Sequence, residues 1–94
     1  MKNTPTDHET IRNIEQEAHN NQYELSMKDA HEMQDAGVSR DEIAQALSDT
    51  YKQMGVAVIA VMKAGEPDFA VRRAEYRGRE TGALEALEDF VAGK

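Results

Sequence analysis

The stretch that decides the fold of this chain is Ala-Gly-Val-Ser-Arg-Asp-Glu-Ile, residues 36–43. Gly37 stands where a helix commonly ends in a left-handed residue. Ser39 and Glu42 follow with the Ser-x-x-Glu spacing of a capping box, which marks the start of a helix. The stretch therefore predicts that one amphipathic helix ends and a longer one begins with almost no residues between them.

Upstream of this joint, the spacing of apolar residues predicts one or two helices. The first helix is expected to begin near Asp7, capped by that residue or its neighbour, and to bury the face that carries Ile14. Asn20-Asn21 is a candidate break, after which Ser26 resembles a second capping start. A single helix that runs through to Ala36 is the alternative.

Downstream of the joint, apolar residues in helical phase predict a helix over residues 40–64. Pro67 fits the first position of the last helix, because its fixed φ suits a helix start. Gly78 and Gly82 weaken the middle of that helix, so a kink there would leave Ala83–Val91 as a separate helix. The Gly-x-x-x-Gly spacing is also a helix close-packing motif, although it is typical of membrane helices.

Length and composition predict an all-α protein of four to five amphipathic helices, with a bundle that is completed by oligomerisation. The 94 residues include no Trp, two Phe and three Tyr, so a single copy has little bulk for a core. Residues 1–6 are expected to be a flexible tail, and residues 7–94 a single all-α domain. The candidate oligomer interface consists of Leu47, Tyr51, Met54, Val58 and Met62.

The chain has no cysteine, which excludes a disulfide framework, a thiolate nucleophile and a thiolate metal site. No cationic, apolar signal stretch is present at the N-terminus, so a cytoplasmic protein is expected. The longest apolar run, residues 56–62, is far below the length of a membrane span, and no membrane partner is predicted.

The net charge of −7 is unevenly placed, since residues 1–50 carry eleven acids and four bases. Residues 51–94 carry seven of each. A nucleic-acid binder normally has a basic field, so this balance argues against nucleic acid as a partner. The acidic half is either a solvated surface or a face that docks on a basic surface of another protein. The candidate partner-binding acidic face consists of Glu24, Asp29, Glu32 and Asp35.

No residue of the chain is predicted to act in catalysis or to bind a cofactor or metal. His19 follows Glu15 by four residues on one helix face, but two such residues do not make a metal site. No serine has the context of a nucleophile, and no glycine loop resembles a phosphate cradle. The candidate basic patch is Arg72, Arg73, Arg77 and Arg79. It either binds a phosphate or an acidic partner, or pairs with the protein's own acids.

The Gly-Val-Ser joint resembles that of the DNA-binding helix-turn-helix, in which an aliphatic residue at the position of Ile43 locks the two helices. The resemblance implies a DNA-binding regulator whose arginines touch the backbone of the duplex. Met33 departs from the alanine usual at its position. The helix that would read the bases carries Asp41, Glu42, Gln45 and Asp49, and its acids would meet phosphates unfavourably.

The same run, extended to Leu47, is similar to the all-α carboxymuconolactone decarboxylase and alkylhydroperoxidase-like family. The resemblance covers about residues 22–63, and Gly55 matches a glycine that is typical of that family. The family's redox cysteines and the histidine after them would fall near Gln22, Leu25 and Asp29. Because the chain has no cysteine, the resemblance implies the helical oligomeric scaffold and a ligand bound between helices, without the redox chemistry.

Of these alternatives, the composition and charge favour a small acidic protein that is not an enzyme. We expect it to bind another protein, as an adaptor, regulator or inhibitor, and to form a homo-oligomer. The helix-turn-helix regulator and the redox-inactive, ligand-binding relative of the decarboxylase-like family are the other two hypotheses.

Overall fold

The computed structural model describes residues 8–93, which form three α-helices. They are α1 (His8–Asp35), α2 (Arg40–Ala64) and α3 (Phe69–Val91). The all-α class is therefore confirmed for the described residues, with three helices where the sequence predicted four to five. The predicted tail and the predicted cap near Asp7 lie outside the described residues.

Helix α1 runs without a break through Asn20-Asn21, so the alternative of one long helix is the correct one. Gln16 donates a hydrogen bond to Asn20 Oδ1 at 3.0 Å, four residues along the same helix. Ser26, predicted as a capping residue, lies buried within the helix and accepts a hydrogen bond from Gln22 at 3.0 Å. Packing against the rest of the chain overrides the local preference of these polar residues for a helix end.

The joint between α1 and α2 has the predicted geometry. Gly37 has a φ of 88°, and its N–H donates to Gln34 O, while the N–H of Val38 donates to Met33 O. These two bonds make a Schellman motif. Ser39 caps α2, because its hydroxyl oxygen accepts from the backbone N–H of Glu42 at 3.2 Å.

The second bond of the capping box differs from the predicted one. The Ser39 hydroxyl donates to the carboxylate of Glu42 at 3.1 Å, so this carboxylate meets the hydroxyl of the cap. Val38 and Ile43, which are spaced for a hydrophobic staple, both pack in the core cluster beside the joint. Both caps together fix the direction in which α2 leaves α1.

The start of α3 corrects the sequence prediction. Pro67 lies in a turn that precedes the helix, in which the carbonyl of Glu66 accepts from the N–H of Phe69 at 3.0 Å. Proline is favoured at the second position of such a turn because its φ is already set. Helix α3 then continues through both of its central glycines, so residues 83–91 are part of one helix and not a separate terminal one.

The two glycines are where α3 touches the backbone of α1. A Cβ added to Gly78 would lie 2.2 Å from the carbonyl oxygen of Glu15, and one added to Gly82 would lie 2.3 Å from that of His19. No side chain fits at either position, so the close-packing interpretation of the spacing is confirmed. Because the contacts advance together along both chains, α1 and α3 are parallel.

Helix α2 runs antiparallel to α3 and packs on it through large side chains. The core cluster near the joint consists of Ala30, Ile43, Leu47 and Phe90. Arg40 closes this end, since its guanidinium donates to Phe90 O at 2.7 Å and lies 4.5 Å from the centroid of the Phe90 ring. Farther along α2, Val58 and Val61 are buried as well.

Helix α3 is therefore the central element of an elongated molecule, 55 × 23 × 18 Å in extent. Both α1 and α2 pack extensively on α3, but they contact each other much less. None of the helices within residues 8–93 is apolar over a length sufficient to cross a bilayer.

Candidate functional site

The predicted acidic face lies on α1, and all four of its carboxylates are exposed. The helical repeat places Glu24, Glu32 and Asp35 toward one side of α1, with Asp29 farther round the helix. Within residues 8–93, none of these four side chains makes a hydrogen bond or an ion pair. Lys28 is the one Lys or Arg between Arg12 and Arg40 in the sequence. Lys28 lies on the same side of the helix, so the face presents a net negative charge to solvent that this one base offsets only in part.

Two arginines of the predicted basic patch pair with neighbouring acids. Arg72 forms an ion pair with Glu66, the residue just before the turn that leads into α3. The Nε of Arg77 lies 3.8 Å from a carboxylate oxygen of Glu80, one helical turn away. These are pairs with the protein's own acids, as the second of the two interpretations of the patch expected.

The other two arginines of the patch lie over aromatic rings of the same helix. The guanidinium carbon of Arg73 is 5.8 Å from the centroid of Phe69, and that of Arg79 is 5.0 Å from the centroid of Tyr76. Such cation–π contacts hold the guanidinium groups close to α3. Each of the four arginines therefore has a partner within the chain, which none of the four carboxylates of α1 has among residues 8–93.

Four of the five residues predicted as an oligomer interface lie on the side of α2 that faces the protein's own core, and Met62 is exposed. Leu47 and Val58 are buried, Tyr51 and Met54 are half-buried, and Met62 is 53% exposed. The apolar side chains that α2 leaves in solvent include Val56 and Ile59, 67% and 54% exposed. Whether α2 binds a second copy stays a prediction, and Val56, Ile59 and Met62 are the apolar side chains available for it.

A row of polar contacts between α1 and α3 was not predicted from the sequence. His19 Nδ1 lies 2.8 Å from the hydroxyl of Thr81, and its Nε2 lies 2.5 Å from a carboxylate oxygen of Glu85. Thr81 also lies 3.0 Å from the carbonyl of Gly78, which it can reach as a donor. From the sequence, His19 was placed only beside Glu15 on one face of its own helix. The i,i+4 spacing behind that placement carries no information about which residues of α3 lie opposite His19.

One turn farther along, Tyr23 continues this row. Its phenol donates to Asp89 Oδ2 at 2.6 Å. That hydrogen bond, together with desolvation and the negative charges of Asp89 and Glu85, raises the pKa of Tyr23 above its ordinary value of 10.0. The only sequence signal for the row is the pair of glycines on either side of Thr81, which bring the two helices close enough for these contacts.

A groove of about 580 Å³ separates α1 from α2 where the two helices splay above the joint. One wall follows α1 from Ile14 to Leu25, the other includes Met54 of α2, and α3 forms the floor. Glu17 and Glu75 are the acids that line it, and Arg79 is the base. Leu25 is 56% exposed here. The arrangement offers apolar surface with mostly acidic edges.

Within residues 8–93, no three His, Asp or Glu side chains lie close enough together to hold a metal ion. The N-terminal part of α2, which a helix-turn-helix protein would place in the major groove, exposes Asp41, Glu42 and Asp49. In that position these carboxylates would be repelled by the negatively charged phosphates of the duplex.

Comparison with known proteins adds no relative: no family model matches the chain, and no curated protein or solved structure matches it significantly. The resemblance to the carboxymuconolactone decarboxylase and alkylhydroperoxidase-like family over residues 22–63 therefore stays a prediction, like the helix-turn-helix resemblance.

Proposed function

We propose that this protein is a small acidic interaction module that regulates or inhibits another protein by binding a basic surface on it through α1. The observation that supports this most is the contrast between the two charged sets. The arginines of α3 all have partners within the chain, whereas the four carboxylates of α1 face solvent without a partner among residues 8–93. Such a face would attract a basic surface on a partner protein and would raise the rate at which the two proteins associate.

The packing of α1 also suits a docking role. The backbone contacts at Gly78 and Gly82 hold α1 on α3 over its first half, and the Schellman motif ends it at Gly37. The carboxylates thus stand on a helix that is ordered before a partner arrives, so binding costs little additional ordering. Complementary charge on a rigid helix gives specificity and rate more than raw affinity.

The same proposal places the protein in the cytoplasm as a homo-oligomer. The apolar side chains that α2 exposes, Val56, Ile59 and Met62, support the second part, because a contact between copies would remove them from water. Light scattering coupled to size exclusion tests this part directly. A dimer in the wild type that becomes a monomer in Ile59→Asp supports it, and a wild-type monomer over a tenfold concentration range contradicts it.

The test of the main proposal uses the full chain as bait in cell extract, compared with a variant in which the acidic face is neutral. That variant carries Glu24→Gln, Asp29→Asn, Glu32→Gln and Asp35→Asn. We expect proteins with basic surfaces to be captured by the wild type, to be lost with the variant and to bind less as salt rises. The affinity of each purified candidate is then measured with both forms.

The matched control neutralises four exposed acids that lie away from this face, Glu9, Asp41, Asp49 and Glu88. Both variants have the same net charge, so a non-specific effect of charge would weaken both equally. A partner that binds the neutral-face variant as tightly as the wild type contradicts the proposal. Circular dichroism of both variants verifies that the helices are retained.

A further inference from the structure

The groove between α1 and α2 has the dimensions of a seat for one more helix. Its α1 wall, Ile14 to Leu25, extends over about 16 Å, which is three helical turns. Its floor on α3 carries Val71, Glu75 and Arg79 at intervals of four residues, so one side of α3 faces the groove throughout. In a helical bundle, the space between two helices that splay over a third is where a fourth helix packs.

The groove is built into the fold, because α1 cannot move off α3 to close it without losing the contacts at the two glycines. Their absent side chains bring the backbones of α1 and α3 together at Glu15 and His19. Helix α2 packs on α3 separately, and its Val58 and Val61 are buried. The two walls are thus fixed by separate contacts with the same central helix.

The chemistry of the groove indicates what would occupy it. Its apolar residues include Ile14 and Val71, which are half-buried, and Leu25, which is 56% exposed. Glu17 and Glu75 line it, and Arg79, its base, already lies over the ring of Tyr76. An apolar stripe would fill such a groove, and basic side chains on both sides of that stripe would meet its carboxylates.

We propose that this groove binds an amphipathic helix of a partner protein, whose apolar stripe is flanked by lysines or arginines. The inference rests on the proposed function and names the surface and the partner chemistry. Glu24 of the acidic face lines a second hollow together with Asn21, Leu25 and Lys28, so the face and the groove form one continuous surface. A second copy is the competing occupant, and the dimerisation test below distinguishes it from a partner helix.

The first experiment titrates the full chain with a synthetic peptide of about 18 residues, long enough to form a helix on binding. The peptide carries leucines at i, i+4, i+7 and i+11 and lysines on both flanks, and a control peptide has every lysine replaced by glutamate. We expect the lysine peptide to bind at least about tenfold more tightly than the glutamate peptide at low salt. Equal binding of the two peptides overturns the proposal.

A pair of protein variants then locates the site. Leu25→Asp puts a charge in the groove, and Val91→Asp puts the same charge on an exposed apolar residue at the end of α3 that does not line it. We expect Leu25→Asp to weaken binding of the lysine peptide at least about tenfold and Val91→Asp to change it less than about twofold. The side-chain amide signals of Asn21 and Gln22 should shift on binding. Equal affinities for the two variants overturn the proposal.

Two further outcomes separate this inference from the proposed function. A natural partner that is lost with the neutral acidic face but binds Leu25→Asp normally supports the function and overturns the groove as its site. A wild-type dimer that becomes a monomer in Leu25→Asp, but not in Val91→Asp, shows that a second copy covers the groove and also overturns the proposal.

Discussion

Helix α3 contacts α1 through its backbone, whereas it contacts α2 through large side chains. At Gly82, the space that a Cβ would need is taken by the carbonyl of His19, 2.3 Å away. On the α2 side, Phe90 packs in one cluster with Ile43 and Leu47, each at most 3% exposed. The first contact depends on a group being absent, and the second depends on groups being present.

This difference predicts different responses to substitution. A contact between two backbones tolerates no added atom, because neither backbone can rotate out of the way as a side chain can. A side-chain cluster loses stability in proportion to the atoms removed and to the cavity left behind. Polar contacts and caps around both interfaces contribute less, since each exchanges hydrogen bonds with water for hydrogen bonds within the chain.

The largest expected effect is that of Gly82→Val. The added side chain overlaps the carbonyl of His19, so α1 must separate from α3, and we expect a loss of more than about 4 kcal/mol in the free energy of unfolding. Urea denaturation followed by circular dichroism measures it. Gly55→Ala is the matched control in α2, because its Cβ would meet only the flexible carboxylate of Glu80 at 3.0 Å. Equal stability of the two variants would contradict the backbone contact.

On the α2 side, Ile43→Ala should cost about 3 kcal/mol, because it removes a fully buried side chain from the core cluster. Ile59→Ala removes the same atoms from an exposed position on the same helix, and we expect a change below about 1 kcal/mol. Both are measured by denaturation at a fixed protein concentration. If the two substitutions cost the same, Ile59 is buried in solution and α2 is covered by a second copy.

Ser39→Ala should cost about 1 kcal/mol, since it removes the acceptor for the N–H of Glu42 at the start of α2. Ser39→Asp keeps an acceptor at this position and should restore most of the loss. A thermal melt of the three proteins distinguishes them. An alanine variant as stable as the wild type would show that the Gly37 turn alone positions α2.

These interfaces also show which parts of the fold could be predicted from the sequence. The joint at residues 36–43 was predictable because its hydrogen bonds join residues that are three to five positions apart. The contact between α1 and α3 was not predictable, because it joins residues such as His19 and Gly82 that are more than sixty positions apart. In the sequence, Gly82 indicates only a lower helix propensity. Its favourable packing becomes visible only once α1 lies against it.

The candidate site divides in the same way. Exposure of Glu24 and Asp35 follows from the amphipathic pattern of α1, which the sequence contains. The groove does not follow from any pattern, since it arises from the angle at which α1 and α2 diverge on α3. Leu25 illustrates the limit: its periodicity suits a core position, but the splay of the helices leaves it 56% exposed.

The smallest expected effect tests the polar row beside the glycine contact through its pH dependence. Tyr23 donates to Asp89, and the pKa of Tyr23 is raised above 10.0, so the folded state keeps this proton when the unfolded chain has lost it. The folded state therefore binds more protons above pH 10.0, and its stability falls as pH rises through the raised pKa. Below pH 10.0 the stabilisation is fully present.

Tyr23→Phe removes this contribution and replaces no other ionisable side chain. We expect the variant to be slightly less stable than the wild type at neutral pH, and the difference to shrink as pH rises above 10.0. Chemical denaturation of both proteins across that range measures the difference directly. A difference that stays constant would mean that the phenol and Asp89 do not meet in solution. The close approach of α1 and α3 would then depend on the glycines without the polar row beside them.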